Sequence, residues 1–562
     1  MSSLDWVVLL GSVSAIVLYG AYRSRHVRDA ETYLRGDGSL RWPTIGLSIM
    51  ATQASAITFI STPAQGYADG MRFVQFYFGL PLAMIVISAV FVPVYYRLGV
   101  RTAYEYLEHR FDARVRFLGG LLFLIGRGLG TGITLYAPAI ILSQLLGWPL
   151  QATIWAIGGV VIVYTVIGGN QAVSLTQKHQ MIVMLTGLAV AAIVVVAKLP
   201  DGVAPGDAVR LAGALGRMDI VSFDLDFASR YNFWSGLTGG FFLALSYFGT
   251  DQSQVQRYLS GASVGESRLG LLFNGLFKVP MQFLILFTGV MVFVFYLFAR
   301  PPLHFDAPTL ERAAAARPAE VAALEARFDR ALDEQRTAAF AYVASPDDAA
   351  RQRLRDAAKT VDGVRADAKQ LIREALPGTE TRDTDHVFLS FVIAHMPIGL
   401  VGLLIAVILC AAMSAVSSGL ISLGATTTVD FYLRARTALG RPRASAQHDL
   451  RASKLATVAW GLAVLGFASV ASLFENLIQA VNILGSIFYG TILGLFVVAL
   501  FLRRVTATPV LVGAIVAEAT VVALFFLSDL GFLWFNVIGC AIVVAVSLLV
   551  QLVLPSRPPR EV

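Results

Sequence analysis

The sequence predicts an all-α integral membrane protein with about thirteen transmembrane helices. Its 562 residues are 56% hydrophobic and 14% charged, whereas a soluble protein typically carries about 25% charged residues. Apolar runs long enough to cross a bilayer recur along most of the chain. One stretch, 300–387, is too polar to cross a bilayer and indicates a soluble insertion.

The apolar runs divide the chain into three parts. Residues 1–299 form a membrane domain with spans one to eight, 300–387 a soluble extracytoplasmic helical hairpin, and 388–562 a membrane domain with spans nine to thirteen. The predicted spans lie near 5–22, 43–66, 73–98, 116–146, 149–168, 178–199, 232–250, 268–299, 388–430, 453–471, 474–501, 507–527 and 531–554.

Positive charges predict how the chain crosses the membrane. Arginine and lysine collect in the loops after the first, third and ninth spans, and cytoplasmic loops carry such an excess. With thirteen spans these loops share one side. The N-terminus is therefore predicted to be extracytoplasmic and the C-terminus cytoplasmic, in a multi-pass protein of the plasma (cell inner) membrane. The formal net charge of +7 then requires no nucleic-acid partner, and the lipid bilayer is the expected surrounding.

The insertion is predicted to fold as two helices, roughly 308–343 and 346–376. Ser345 would cap the second helix and Pro346 would occupy its first position, with acidic residues following in the first turn. Two roles stay open for the insertion. It is either a solvated spacer between spans eight and nine or a surface that senses or binds a partner.

Polar residues interrupt two of the apolar spans. Span two contains Thr52, Gln53, Ser55 and Thr58, and span nine contains Ser414, Ser417, Ser418 and Ser422. Irregular backbone at membrane depth is tolerated where it lines a cavity, and transporters hold ions and substrate at such broken helices. Small hydroxyl side chains also serve helix packing, so the pattern alone leaves both interpretations open.

Two basic residues lie deep inside predicted spans. Lys278 falls ten residues into span eight, and Arg127 lies at a comparable depth in span four. A charged side chain facing lipid there would cost several kcal/mol. We therefore expect each to face a cavity or a partner, either on the transport path or in a structural pair.

Longer motifs add a family resemblance. They include PVYYRLGVRTAYEYLEHRF (93–111), YAPAIILSQLLGW (136–148), GGNQAVSLTQKHQ (168–180) and SYFGTDQSQVQRYLSG (246–261). In this order they resemble the sodium/solute symporter family, which includes the sodium/glucose carriers. The chain is most similar to the branch that carries iodide, monocarboxylates and vitamins. The resemblance covers nearly all of the chain outside 300–387.

The resemblance implies a LeuT-like fold of two inverted five-helix repeats with broken helices. Here the repeats would be spans two to six and seven to eleven. A broken span two agrees with its polar interruption, and a second break is expected in span seven. The resemblance also implies alternating access to a site near the middle of the membrane.

The resemblance further implies a main sodium site. Its ligands would be the backbone carbonyls of Ala51, Ala54 and Ala411 and the side chain of Ser414. The family's next hydroxyl position is Ala415 in this chain. One ligand of the implied site is therefore missing.

A second sodium position of some relatives would use Ser414, Ser417, Ser418 and a carboxylate. The carboxylate position is Gln177 here. Lost charge weakens a site for a hard cation, which leaves two hypotheses. Either one weaker sodium site remains, or the positive charge of Lys178 replaces sodium in a proton-coupled or sodium-independent carrier.

The substrate positions implied by the resemblance are Gln53, Tyr247, Lys278 and Asn482. Ala244 stands where sugar carriers have asparagine, so a sugar hydroxyl would find fewer partners. The motif resemblance and the positive charge of Lys278 together favour a small organic anion such as a monocarboxylate or vitamin acid.

The sequence thus predicts a secondary active transporter, coupled to sodium, for a small organic solute. No motif of the common hydrolases, nucleotide-binding enzymes or metalloenzymes stands in a suitable context, so an enzyme is not expected. A transporter-like membrane sensor that uses the insertion stays open, and so does the oligomeric state.

Overall fold

The computed structural model describes residues 2–24, 29–229, 231–379, 381–441, 445–470 and 477–554. These residues form an all-helical protein, and the described part contains a single parallel bridge, between Leu40 and Gly261, in place of a sheet. The predicted all-α class is confirmed.

The helices of the first membrane part run from Ser3 to Phe298. They are α1 Ser3–Ser24, α2 Ala30–Arg35, α3 Trp42–Gln53, α4 Ala56–Asp69, α5 Leu80–Val86, α6 Val92–Leu98, α7 Ala103–Arg110, α8 Ala113–Leu146, α9 Leu150–Ala197, α10 Pro205–Ala214, α11 Gly240–Gly249, α12 Gln252–Leu259 and α13 Val264–Phe298. A 3₁₀ segment occupies Gly70–Tyr77, and π-helical segments occupy Ile87–Phe91 and Ser235–Gly239.

The remaining helices comprise the insertion and the second membrane part. They are α14 Ala307–Ala316, α15 Pro318–Ala344, α16 Asp348–Ala375, α17 Val387–His395, α18 Leu400–Thr426, α19 Leu433–Ala438, α20 Ala446–Ala468, α21 Leu477–Phe501, α22 Ala507–Leu527 and α23 Leu533–Val553. A 3₁₀ segment, Thr384–His386, precedes α17, and a π-helical segment, Thr427–Tyr432, follows α18.

Two of the predicted spans are broken at the expected places. Helix α3 ends at Gln53 and α4 begins at Ala56, because Ser55 is extended (φ −79°, ψ 172°). Helix α11 ends at Gly249 and α12 begins at Gln252, with the Asp251 side chain capping α12. The predicted breaks in spans two and seven are confirmed.

The number of membrane crossings does not follow directly from the number of helices. Within the described residues, ten segments are both long and apolar enough to span a bilayer. Some parts of the broken helices are too short to be among these ten segments. Helix α9 is one of the ten, although its 48 residues contain a kink at Gly169, where φ is 61°. A straight helix of that length would extend about 72 Å at 1.5 Å per residue, more than twice the ≈ 30 Å hydrocarbon core. Thirteen crossings and two inverted repeats stay predictions.

Helices α4 and α13 touch along their backbones. A Cβ atom on Gly66 would lie 2.3 Å from the carbonyl oxygen of Leu286, and one on Gly289 would lie 1.8 Å from that of Pro63. Only glycine allows this approach, which small residues commonly provide between membrane helices. The C-terminal part of α4 is therefore held tightly to α13.

The insertion differs from its prediction in two details. The first predicted helix is divided, since α14 ends at Ala316 and α15 begins at Pro318. Helix α16 begins at Asp348 and is capped by Asp347, whose carboxylate accepts from the Ala350 N–H at 2.7 Å. The predicted cap, Ser345, is thus wrong by two residues.

The hairpin of α15 and α16 has a small apolar core of its own. Its buried members come from both helices and from the segment before them: Leu303, Val321, Leu324, Phe328, Ala331, Val361, Val364, Ala368 and Leu371. Other buried residues of the two helices, among them Tyr342 and Leu354, belong to the main apolar core, so the hairpin also packs against the rest of the protein.

The base of the insertion is fixed to α4 and α13. Asp383 accepts from the Phe305 N–H at 2.8 Å and pairs with Lys369 at 2.7 Å. Burial alone would raise the pKa of the Asp383 carboxyl, but Lys369, His304 and the hydrogen bonds together lower it. The Tyr67 ring of α4 packs edge-on against Phe305 at 5.6 Å.

Candidate functional site

The break between α3 and α4 lies against the serine-rich part of α18 and the second half of α9. Five polar side chains meet there, each 2% exposed or less. We call them the Gln177 cluster: Ser48 and Thr52 of α3, Gln177 of α9, and Ser414 and Ser418 of α18.

The side-chain nitrogen of Gln177 occupies the centre of this cluster. It lies 2.6 Å from Ser418 Oγ, 3.0 Å from Ser414 Oγ, and 3.1 Å from both the Ser414 carbonyl and Thr52 Oγ1. The Gln177 amide oxygen accepts from Ser48 Oγ at 2.5 Å. An amide nitrogen carries two hydrogens, so four oxygen neighbours are more than it can satisfy. The oxygens of Thr52, Ser414 and Ser418 thus surround a small space, which we call the oxygen-rich nest. The neutral amide of Gln177 fills this space as a hydrogen-bond donor.

The residues expected to bind sodium lie beside this nest. Ala51, Ala54 and Ala411 are fully buried in one small apolar cluster where α3, α13, α18 and α9 meet. Ser414 Oγ donates to the Ala51 carbonyl at 2.7 Å. The side chain and the carbonyl that the resemblance paired are therefore in direct contact, and carbonyl and hydroxyl oxygens are suited to a hard cation.

Two other predicted residues are placed differently. Ser417 Oγ donates to the Ser414 carbonyl of its own helix at 3.1 Å. It therefore borders the nest without contacting Gln177. Lys178 is half-buried, and its side chain takes no part in the hydrogen bonds that the described residues form in the Gln177 cluster.

A cavity of about 130 Å³ opens on the other side of the α3–α4 break. Of the four predicted substrate residues, Gln53, Tyr247 and Asn482 line it. Lys278 is absent from the described residues that line it, and its ammonium instead lies 5.6 Å from the Tyr77 ring centre, fully buried. The basic side chain in the cavity wall is Arg127.

Arg127 belongs to a small polar network in this wall. Its guanidinium lies 3.7 Å from Asp251 and over the Tyr247 ring at 5.8 Å. The Tyr489 hydroxyl donates to the same Asp251 carboxylate at 2.9 Å. The Nε atom of Arg127 has no hydrogen-bond partner in the described structure, so part of this cation stays available.

Sequence reasoning missed several members of the site. Ser48 and Tyr489 carry no pattern that separates them from other residues of apolar helices, so only the fold identifies them. Asp251 stands in the SYFGTDQSQVQRYLSG motif, and an acidic residue at a helix break was a usable signal. Thr52 was noticed as a polar residue of span two without being placed in the ion site.

These features define a class of protein. Two broken membrane helices surround a buried oxygen-rich nest and an adjacent cavity, the arrangement that secondary transporters use for ions and substrate. The model of the sodium:solute symporter family matches residues 33–319 and 363–517. The chain belongs to this family. The unmatched stretch between the two ranges falls in α15 and α16 of the insertion.

Individual relatives carry different cargoes. The chain is 36% identical to the human sodium/iodide cotransporter over 49% of this chain and 42% of that protein, and 34% identical to the sodium-coupled monocarboxylate transporter 1 of Xenopus laevis over 48% and 43%. It thus spans less than half the length of these two relatives. It is 27% identical to the sodium/sialic acid symporter NanT of Aliivibrio fischeri over 97% of this chain and 92% of that protein.

A solved structure has the same fold. It is the substrate-bound outward-open state of a sodium-coupled sialic acid symporter, with a TM-score of 0.77, 24% identity and 99% of both chains covered. The chain therefore shares the fold of that symporter, and the predicted multi-pass membrane protein is confirmed. Since the relatives are transporters, the prediction that this chain is not an enzyme is confirmed as well.

Proposed function

We propose that the chain is a sodium-coupled symporter of a small organic anion. The observation that carries this proposal is the cavity beside the α3–α4 break, where Arg127 is the basic residue and Gln53, Tyr247 and Asn482 supply polar groups. Ligand sites usually combine a largely apolar wall with a few such polar groups. Alternating access would expose this cavity to each side of the membrane in turn.

Arg127 would recognise the anionic group of the cargo. A guanidinium carries five N–H donors and binds a carboxylate with two of them in parallel. Its contact with Asp251 is long, at 3.7 Å, so a second carboxylate would find donors free. Relatives that carry iodide and monocarboxylates support an anionic cargo.

Sodium would bind as the co-transported ion at Ala51, Ala54, Ala411 and Ser414. The contact between Ser414 Oγ and the Ala51 carbonyl supports this assignment, because it brings two of the proposed ligands together. The neutral Gln177 amide fills the neighbouring nest, which favours one sodium ion per cycle. The alternative in which Lys178 replaces sodium receives no support from the contacts of the cluster.

The finer topology belongs to the same proposal. Thirteen crossings in two inverted repeats would place the N-terminus and the insertion outside the cell, with the C-terminus and the arginine-rich loops inside. The chain would lie in the plasma membrane, consistent with its apolar helices.

Uptake into proteoliposomes tests this function. The purified protein would be supplied with labelled lactate, iodide, sialic acid or glucose, in sodium buffer or with choline in place of sodium. We expect accumulation of one anion in sodium only, and loss of that accumulation in Arg127→Gln with partial recovery in Arg127→Lys. Equal uptake in choline would contradict sodium coupling, and unchanged anion uptake in Arg127→Gln would contradict the proposed role of Arg127.

A further inference from the structure

Helix α12 is polar yet fully buried. Its sequence is QSQVQRYL, and all eight side chains are buried. Buried polar groups normally have hydrogen-bond partners, but both side-chain polar atoms of Gln256 lack them in the described structure. A helix of this composition is better suited to a surface that water reaches in another state of the protein.

Arg257 is the charged residue of this helix, and its burial requires the most compensation. Its guanidinium is 0% exposed and contacts Ser174 Oγ at 2.8 Å, the Ser253 carbonyl at 3.3 Å and the Asn170 carbonyl at 3.5 Å. Its Nη2 atom has no partner, and no carboxylate of the described residues lies within ion-pair distance of it. A buried charge without a counter-charge is costly. An anion bound beside the Arg257 guanidinium would compensate this charge.

Polar side chains connect the cavity to Arg257, and we call this series, from Tyr247 through Gln254 to Arg257, the polar line. Tyr247 lines the cavity, and Gln254, on the first turn of α12, lies beside its hydroxyl. Gln254 and Arg257 are three residues apart and therefore share one face of the helix. The line leads from the cavity wall away from the α11–α12 break.

The far end of this line is covered by a short segment of the chain. The Leu40 N–H donates to the Ser260 carbonyl at 3.2 Å, and the Ala262 N–H donates to the Leu40 carbonyl at 2.9 Å. The start of α12 is tied by Gln252 to the Arg101 carbonyl at 3.0 Å. Leu40 and Arg101 belong to the loops after the first and third predicted spans, whose arginines predict the cytoplasmic side. Uncovering this end would break the two backbone hydrogen bonds of Leu40.

We propose that Arg257 forms an exit-side binding subsite for a small anion, used when the cytoplasmic half of the protein opens. The guanidinium would receive the anion after it leaves Arg127, with Ser174 as a hydroxyl neighbour. The identity of the anion as the transported cargo rests on the proposed function. The existence of an anion-selective subsite does not, because it follows from the unpaired charge and its burial.

A cysteine in place of Ser174 tests the subsite without the cargo. The substitution is nearly isosteric, and the new sulfur would lie beside the guanidinium, since Ser174 Oγ is 2.8 Å from Arg257 Nη1. Two methanethiosulfonate reagents of similar size, one with a sulfonate and one with a trimethylammonium group, would be added to the cytoplasmic face of inside-out vesicles. Labelling would be followed with and without sodium. The native cysteines, Cys410 and Cys540, are buried, and the parent protein measures their background.

We expect Ser174→Cys to react faster with the anionic reagent, and we expect Arg257→Gln in that background to lower the ratio of the two rates by about tenfold or more, as a unit charge at short range implies. Arg257→Lys should keep most of the preference. Arg268→Gln, at an exposed arginine, should leave it unchanged.

Three results would overturn the subsite. They are no labelling of Ser174→Cys above background in either buffer, equal rates for the two reagents, or the same rate ratio after Arg257→Gln. If the labelling preference is found while the parent protein accumulates no anion in sodium buffer, the subsite stands and the proposed function fails. If anion uptake needs Arg127 but the preference is missing, the proposed function stands and the subsite fails.

Discussion

Replacing Gln177 by aspartate should create a second sodium site. The Gln177 nitrogen now has four oxygen neighbours between 2.6 and 3.1 Å. Calcium takes oxygen ligands at roughly 2.3–2.6 Å, and sodium has a nearly equal ionic radius. Aspartate is one methylene shorter than glutamine, so its carboxylate would retract from the oxygens of Thr52, Ser414 and Ser418 and leave room for a cation among them.

The added charge sets the size of the effect. Two unit charges about 4 Å apart attract by about 4 kcal/mol at an effective dielectric constant of 20, and desolvation of the buried pair removes part of this. A net gain of about 1.4 kcal/mol already means a tenfold change in affinity. We therefore expect the aspartate variant to bind the second sodium at least about tenfold more tightly than Gln177→Asn, which shortens the side chain without adding charge.

The sodium dependence of uptake measures this directly. In the parent protein and in Gln177→Asn the Hill coefficient for sodium should stay near one. In Gln177→Asp it should rise above one, and the reversal potential should shift toward two sodium ions per cycle. Ser418→Ala in the aspartate background should restore the parent behaviour, because it removes one proposed ligand.

A Hill coefficient near one in a folded, active Gln177→Asp protein would refute this reasoning. So would a coefficient near two in the parent protein, since the neutral amide would then not exclude a second ion. The unfolding temperature of each variant should also be measured, because it distinguishes a protein that has lost the sodium site from one that is misfolded.

Three further predictions follow from particular contacts. Gly289→Val should lower stability by about 1–3 kcal/mol, as overpacking does, whereas Gly159→Val, where a Cβ meets nothing within 4 Å, should change the unfolding temperature little. Lys278→Met should raise the KM for the anion less than Arg127→Gln does, because Lys278 lies behind Tyr77; an equal effect in uptake assays would place Lys278 in the binding site. The docking of the insertion should hold from neutral pH to about pH 4, near the ordinary pKa of aspartate, and weaken as the pH falls through the lowered pKa of Asp383. Asp383→Asn should remove this pH dependence in limited proteolysis of the hairpin, and an unchanged acid response would contradict it.

The fold was largely predictable because apolar runs and interruptions are local signals. Membrane helices must satisfy their own backbone groups, so a polar, small-residue stretch such as 52–58 indicates a break before any contact is known. The exact crossings were harder to obtain. The kink of α9 at Gly169 and the division of the first insertion helix at Arg317 depend on a single residue each.

The site was predictable only in part. Serines three or four residues apart on one helix indicate a hydroxyl-lined face, and the structure brings Ser414 and Ser418 to Gln177. Depth along a helix, in contrast, does not reveal which way a side chain points. Lys278 and Arg127 lie at similar depths, yet only Arg127 reaches the cavity, because Tyr77 stands beside the Lys278 ammonium.

The base of the insertion has a consequence for its origin and its use. Phe305 and Asp383 are 78 residues apart in the chain but joined by one hydrogen bond. A segment whose two ends meet can be added to a protein, or removed from it, without moving the helices on either side. A short glycine linker joining the residues next to Phe305 and Asp383 should therefore give a smaller transporter with its membrane helices intact.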